Sequence, residues 1–238
     1  MVLRQMVQEL KQAWIMVFGR REMAMAVLDY DRYWELRREG DETTLRARDI
    51  IISNRIESHS SILDIGCGTG RLLAHLAGSK QNVELFGLDV APRAIEIARA
   101  KGLNCQIADV MSPEFNLERD YDYIVVSEVL EHLHNPEVLL LKLRGRYLKT
   151  LFVTIPNVGY YPHRLRLLFG SFPVQTVWHP AEHLRYWTIR DFEQWLQDLG
   201  FRANEVRASN GFPRLAKWWP NLLGNQVIFV LHPQRHSD

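Results

Sequence analysis

The sequence predicts an α/β sandwich: a doubly wound, mostly parallel sheet with helices on both faces. Ile62, Leu63 and Ile65 form a short apolar run, as in a strand buried on both faces. Gly66, Gly68 and Gly70 follow it, and a helical pattern opens at Arg71. After Gly78 the chain alternates short apolar runs with helical patterns, most of them ended by Asp, Gly or Pro. In such sheets ligands sit at the carboxyl ends of the strands, and glycine lets the backbone approach a ligand that a Cβ would push away.

The elements follow in order. Residues 2–18 read as an amphipathic helix with Leu3, Val7, Leu10, Trp14 and Val17 on one stripe. Packing on its own domain, or on a second copy in a homodimer, is the plain use of that stripe. Peripheral contact with a membrane surface is the sharper one, but the polar face is not strongly basic. A second helix spans about 23–38 and carries Tyr30, Tyr33 and Trp34; Gly40 breaks it. A third spans 43–56 with Leu45, Ile52 and Ile56 on one face. Residues 1–45 are therefore expected to form a helical cap, and 46–235 the sheet domain.

After the first strand and the helix at 71–77, residues 82–88 form a second strand ending at Asp89. Pro92 sits near a helix start, where its missing N–H costs nothing, and Gly102 stops that helix. Residues 103–108 form a third strand ending at Asp109, and 121–126 a fourth ending at Ser127-Glu128. A helix at 136–143 leads to a fifth strand at 148–155, cut off by Pro156. Residues 157–187 are aromatic, basic and broken by prolines. They read as an insertion over the carboxyl end of the sheet, part helix and part loop. Thr188 and Asp191 cap a helix that buries Phe192, Trp195, Leu196 and Leu199. Residues 201–207 and 225–232 are the last two strands.

Composition narrows the function. The chain has 238 residues, 47% hydrophobic and 24% charged, enough for one sizeable core or a core with a cap. A net charge of +1 gives no global electrostatic case for nucleic acid. The two cysteines, Cys67 and Cys105, follow no disulfide or metal spacing, so a reducing cytoplasm is the expected compartment. No apolar run approaches the roughly 18 residues a membrane span needs, and no signal-peptide pattern is present.

Spacing then points to the ligand. A dinucleotide fingerprint, G-x-G-x-x-G, needs glycine at position 71, which is Arg; this argues against a nicotinamide-dependent oxidoreductase. Asp64, Asp89 and Asp109 stand at the ends of three successive strands. A carboxylate ending the second strand can accept both hydroxyl protons of a ribose. His179-Pro-Ala-Glu-His183 has the spacing of a zinc helix, but Pro180 interrupts it and H-E-x-x-H is absent.

D-x-G-x-G-x-G at Asp64–Gly70, with Asp89, Asp109 and Y-D-Y-I-V-V-S-E-V-L-E-H-L, resembles class I S-adenosylmethionine-dependent methyltransferases of the small-molecule branch. The resemblance implies a seven-stranded Rossmann-like sheet in the order 3-2-1-4-5-7-6 with strand 7 antiparallel. It implies S-adenosylmethionine as cofactor, held by Asp64, Gly66, Cys67, Gly68, Gly70, Asp89, Val90, Asp109, Val110, Ser127 and Glu128. Tyr33 would add a ring from the cap, shielding a sulfonium by cation–π attraction. In ubiquinone-pathway O-methyltransferases a string like Glu128-x-x-Glu131-His132 helps hold a divalent metal. Two carboxylates and one His within five residues are a thin case for one, so no metal is expected, with Mg²⁺ on these residues as the minor alternative.

P-N-x-G at 156–159, R-L-x-L-L-F at 164–169 and E-H-L-R-Y-W-T-x-x-D-F at 182–192 are also similar to MetW-like methyltransferases. That likeness implies an alternative to catalysis: a cofactor-binding protein that assists a partner enzyme such as a homoserine acyltransferase. For methyl transfer to a small-molecule acceptor, a hydroxyl nucleophile needs a base near neutral pKa. His183 and His163 are the candidates, with Tyr160, Tyr161, Glu182, Tyr186 and His132 as pocket residues.

Overall fold

The computed structural model describes residues 2–18, 44–173 and 182–233, and side chains of the first helix from Val7 onward. The expected cap helix at 23–38, with Tyr33, and the His179–Ala181 stretch lie outside the described residues. Helix α1 is Val2–Phe18 and α2 is Ala47–Ser53; then come β1 Ser61–Ile65, α3 Arg71–Ser79, β2 Glu84–Asp89, α4 Pro92–Ala100 and β3 Cys105–Ile107. The chain continues through β4 Tyr121–Ser127, a 3-10 turn at Leu130–His132, α5 Pro136–Leu143, β5 Tyr147–Pro156 and α6 Tyr161–Leu168. It closes with α7 Ile189–Asp198, β6 Ala203–Gly211, α8 Pro220–Leu223 and β7 Gly224–Leu231.

The seven strands form one sheet in the order β3-β2-β1-β4-β5-β7-β6. The first five are parallel to one another, and β7 runs antiparallel to both β5 and β6. Alternation along β4 divides the core. Ile124 and Val126 face α5 and α7, meeting Leu139, Leu143, Phe192 and Leu196, while Tyr123 and Val125 face Ile52, Leu72 and Leu76 of α2 and α3. Each such side chain removed from water contributes about 1.5–3 kcal/mol.

Several boundaries differ from the sequence expectation. The helix expected over 43–56 holds only Ala47–Ser53, because Arg46 is extended and its N–H donates to Asp49 Oδ2 at 3.0 Å. Ile56 stays in the core beyond the helix end. The third strand is three residues long, so Asp109 lies two residues past it rather than at its tip. β6 runs on to Gly211, extended by its pairing with β7 through three register shifts.

The stripe on α1 is also turned. Ala13 and Val17 are buried, whereas Val7, Leu10 and Trp14 are 58%, 53% and 63% exposed. Helix α1 packs on α6, where the small Ala13 permits close approach and Arg166 Nη1 donates to the Val17 carbonyl at 3.0 Å. Among the described residues no helix is long and apolar enough to cross a membrane.

Candidate functional site

A cleft of about 310 Å³ opens at the carboxyl ends of β1, β2, β3 and β4. The glycine loop forms one wall. Gly66 N–H and Cys67 N–H both donate to the Leu88 carbonyl, at 2.7 and 3.0 Å, which folds the loop back over β2. Gly66 has φ +72°, and a Cβ there would lie 2.3 Å from Val129 Cγ2, so conformation and space both require glycine. Gly70, at φ +75°, is the N-cap of α3 and does not line the cleft.

Asp89 ties the loop to β2. Its Oδ2 accepts from Gly68 N–H at 2.8 Å and its Oδ1 from Ala91 N–H at 2.9 Å, so each oxygen keeps further lone-pair capacity. Burial pushes its pKa up, against the pull of the Ala91, Gly68 and Val90 N–H groups. Burial, with Asp49 nearby, holds Asp64 well above the usual carboxylate range. Asp109 is exposed at the cleft edge, its Oδ1 accepting from Met111 N–H at 2.8 Å, with Val110 buried beside it. A hydrogen bond to Cys105 and burial push the Cys67 thiol upward.

At the end of β4 the chain turns sharply through Glu128, a non-glycine residue at φ +56°. Thr154 Oγ1 holds the turn. It donates to Glu128 Oε1 at 2.9 Å and accepts from Glu128 N–H at 3.1 Å, while the Ser127 hydroxyl reaches it at 3.0 Å. Gln226 Nε2 donates to Glu128 Oε2 at 2.6 Å.

Most of the expected cofactor residues therefore meet in one cleft: Asp64, Gly66, Cys67, Gly68, Asp89, Val90, Asp109, Val110, Ser127 and Glu128. His132 and Glu182 line it too. His183 is buried next to them, its ring edge-on to His132 at 4.9 Å, but outside the lining. Tyr160, Tyr161, His163 and Tyr186 are also outside it. His163 is fully buried, donates from Nε2 to Asn225 Oδ1 at 3.2 Å, and is driven down to about 4 by burial. Tyr160 and Tyr161 pack edge to face, and Tyr161 continues onto Phe212. Tyr186 packs on Phe172 and His183.

Sequence reasoning missed the cationic wall. Arg46, Arg48, Asp49 and Arg71 all line the cleft. Arg71 Nε donates to Asp49 Oδ2 at 2.8 Å, and Arg48, 5% exposed, stands 3.9 Å from both Asp49 and Glu128. Arg48 Nε has no hydrogen-bond partner among the described residues. The R-x-R-D run at 46–49 was the available signal, but only the apolar face of that helix was legible as a pattern.

The Glu128–Glu131–His132 grouping is not what the fold assembles. Glu128 turns to Thr154 and Gln226, while Glu131 and His132 meet His183 of the insertion. Glu131 is fully buried, and neither carboxylate oxygen has a hydrogen-bond partner among the described residues. Burial, with Glu128 nearby, holds it well above the usual carboxylate range.

The likenesses to known proteins agree with this architecture. A ubiquinone biosynthesis O-methyltransferase of Xylella fastidiosa is 33% identical over 173 residues, 65% of this chain and 66% of that protein. An N-methyltransferase of Papaver somniferum is 32% identical over 96 residues, so the chain spans only 27% of that relative's length. The crystal structure of magnesium protoporphyrin IX methyltransferase from Synechocystis, with bound S-adenosylhomocysteine, superposes with a TM-score of 0.56 at 15% identity, covering 94% of each chain. The family model described as methionine biosynthesis protein MetW matches residues 46–231. Sheet order, glycine loop and this match together make the chain a member of the MetW family, on the class I S-adenosylmethionine-dependent methyltransferase fold.

Proposed function

We propose that the protein transfers the methyl group of S-adenosylmethionine to an oxygen or nitrogen of a small-molecule acceptor. The observation that carries this reading is the Asp89 carboxylate, fixed by Gly68 and Ala91 N–H groups with lone pairs left for two ribose hydroxyls. Asp109 and Val110 would receive the adenine, and Arg48, whose Nε has no hydrogen-bond partner among the described residues, the methionine carboxylate. The donor set fits a zwitterionic nucleoside better than a dinucleotide, whose pyrophosphate would need glycine at position 71, where Arg71 stands.

The bound cofactor supplies a sulfonium methyl already activated for displacement. The chain's own work is to hold the acceptor in line and exclude water. Val129, His132, Leu133 and Glu182 form the wall available for that. His183 acts through His132 as a positioning residue. Calorimetric titration with S-adenosylhomocysteine tests the reading. Binding by the wild type and its loss in Asp89→Ala are expected; no binding by the folded wild type overturns it. Release of S-adenosylhomocysteine across a panel of phenolic, carboxylate and amine acceptors then identifies the nucleophile.

A second reading, a cofactor-binding protein that assists a partner enzyme, is favoured by apolar surface. Trp14, Phe18, Phe169 and Trp218 are 63%, 59%, 65% and 87% exposed. It predicts cofactor binding with no methyl transfer to any acceptor in that panel.

A further inference from the structure

Cys67 brings a thiol into the glycine loop, and the fold brings a second thiol to it. Cys67 follows β1 and Cys105 opens β3, the two strands that flank β2. Cys105 is paired with Gly87 of β2, and Cys67 N–H donates to the carbonyl of Leu88, the next residue of that strand. Both side chains turn over the glycine. A Cβ at Gly87 would lie 2.7 Å from Cys105 Sγ and 2.8 Å from Cys67 Sγ, so the missing methyl is the space in which the two sulfurs meet. There the thiols are hydrogen-bonded to each other, in a small apolar cluster with Leu73, Ile95 and Ala98. Both are free; Cys105 is 2% exposed, and Cys67 lines the cleft.

We propose that Cys67 and Cys105 form a reversible disulfide under a hydroperoxide, and that this bond closes the adjoining cleft to its cofactor. The effect on the cofactor rests on the S-adenosylmethionine reading above; the bond itself does not. The hydrogen bond from Cys67, helped by the Arg99 charge, pulls the Cys105 thiol down, which makes one thiolate of the pair easier to form. Proton exchange along that hydrogen bond passes the thiolate to Cys67, the sulfur at the cleft wall. It attacks one peroxide oxygen, the O–O bond breaks, and hydroxide leaves with the thiol proton as water, giving a sulfenic acid. Cys105 then attacks that sulfur, the S–S bond forms, and a second water leaves. The two thiols give up two electrons and two protons, and the peroxide takes both.

Strands that flank a third lie about 9.5 Å apart, whereas a disulfide holds its Cα atoms within about 7 Å. Closing the bond therefore draws the loop at Cys67 across Gly87 toward β3. Gly68, the next residue, is then pulled from Asp89 Oδ2, which its N–H reaches at 2.8 Å, and the carboxylate assigned to the ribose loses its anchor. By linkage, bound cofactor opposes the disulfide as strongly as the disulfide opposes the cofactor.

The test uses the full chain, reduced, desalted and then oxidised with hydrogen peroxide or diamide. Thiols titrated under denaturing conditions are expected to fall from two to none. The mass drops by two hydrogens, no dimer appears on a non-reducing gel, and dithiothreitol restores both thiols. Amide exchange over residues 64–70 reads the loop with no ligand present and is expected to quicken on oxidation. Calorimetry with S-adenosylhomocysteine is expected to show at least about tenfold weaker binding after oxidation, and the saturating ligand to slow thiol loss by a similar factor. Cys105→Ala treated with diamide is expected to keep the affinity of the reduced wild type; Cys105→Ser replaces it if circular dichroism shows the alanine variant unfolded. The bond is overturned if the folded, oxidised chain keeps both thiols or pairs them between molecules. The switch is overturned if the bond forms with exchange and affinity unchanged, or if diamide weakens binding equally in the Cys105 variant. Failure of the reduced wild type to bind S-adenosylhomocysteine overturns the cofactor reading instead, and amide exchange then decides whether the bond moves the loop.

Discussion

Arg71 Nε donates to Asp49 Oδ2 at 2.8 Å, joining the first residue of α3 to the first turn of α2 beside the glycine loop. The residue that breaks the dinucleotide fingerprint thus has a structural task of its own. Arg71→Gly restores G-x-G-x-x-G on paper. It is expected to give no NAD binding in a fluorescence titration. Asp49→Ala, which leaves Arg48 and Arg71 without their carboxylate, is expected to lower stability by about 3 kcal/mol in urea unfolding.

Asp89→Asn keeps the shape of the side chain but replaces one acceptor oxygen with an amide donor. Either Gly68 N–H or Ala91 N–H then faces an NH₂ group. Affinity for S-adenosylhomocysteine is expected to fall about tenfold or more, from the lost charge-assisted bonds. Calorimetry reads this directly, and an unchanged Kd refutes the assignment of Asp89.

Gly66→Ala forces a positive φ on an L-residue and drives its Cβ into Val129. The paired variant Gly66→Ala/Val129→Ala relieves the clash but not the φ. The double variant is therefore expected to recover part of the lost thermal stability while remaining below Val129→Ala alone, by about 1–2 kcal/mol.

His163 sets a pH dependence with a definite sign. Its folded pKa lies near 4 against an ordinary 6.5, so the unfolded chain binds the extra proton between those values. Its contribution, about 3 kcal/mol, is complete above pH 6.5 and lost as pH falls toward 4. Asp64, Asp89 and Glu131, whose pKa values burial raises, act in the opposite sense, so the measurement is a difference: wild type minus His163→Gln, by denaturant unfolding across that window. A flat difference refutes it.

The centre of the sheet was legible because β1, β4, β5 and β7 are mostly buried and appear as apolar runs, whereas the edge strands β3 and β6 are mostly exposed and their bounds were read less closely. Three residues of the cleft lining were legible from their place near strand ends: Asp64 within β1, Asp89 at the end of β2 and Asp109 two residues past β3. The wall formed by the insertion was not. His183 reaches His132 only because the carbonyl of Glu131 accepts two N–H groups from residues 184 and 185, and no local pattern announces a contact over that distance. Asn157 belongs to the same class. It reads as a turn residue, yet its buried amide donates to the carbonyls of Gly224 and Asn221, and its own carbonyl oxygen accepts from Gly159 N–H. Arg48 and Asp49 were hidden by their place on a short helix known only from its apolar face.

Strand β7 follows β6 along the chain, yet it lies between β5 and β6. During synthesis β6 therefore emerges with no neighbour to pair with, and β5 presents an open apolar edge until residues 224–231 leave the ribosome. The order of manufacture runs against the order of assembly, and the sheet closes in one late event. Chains stalled before that point are the ones a cell's chaperones would have to shield.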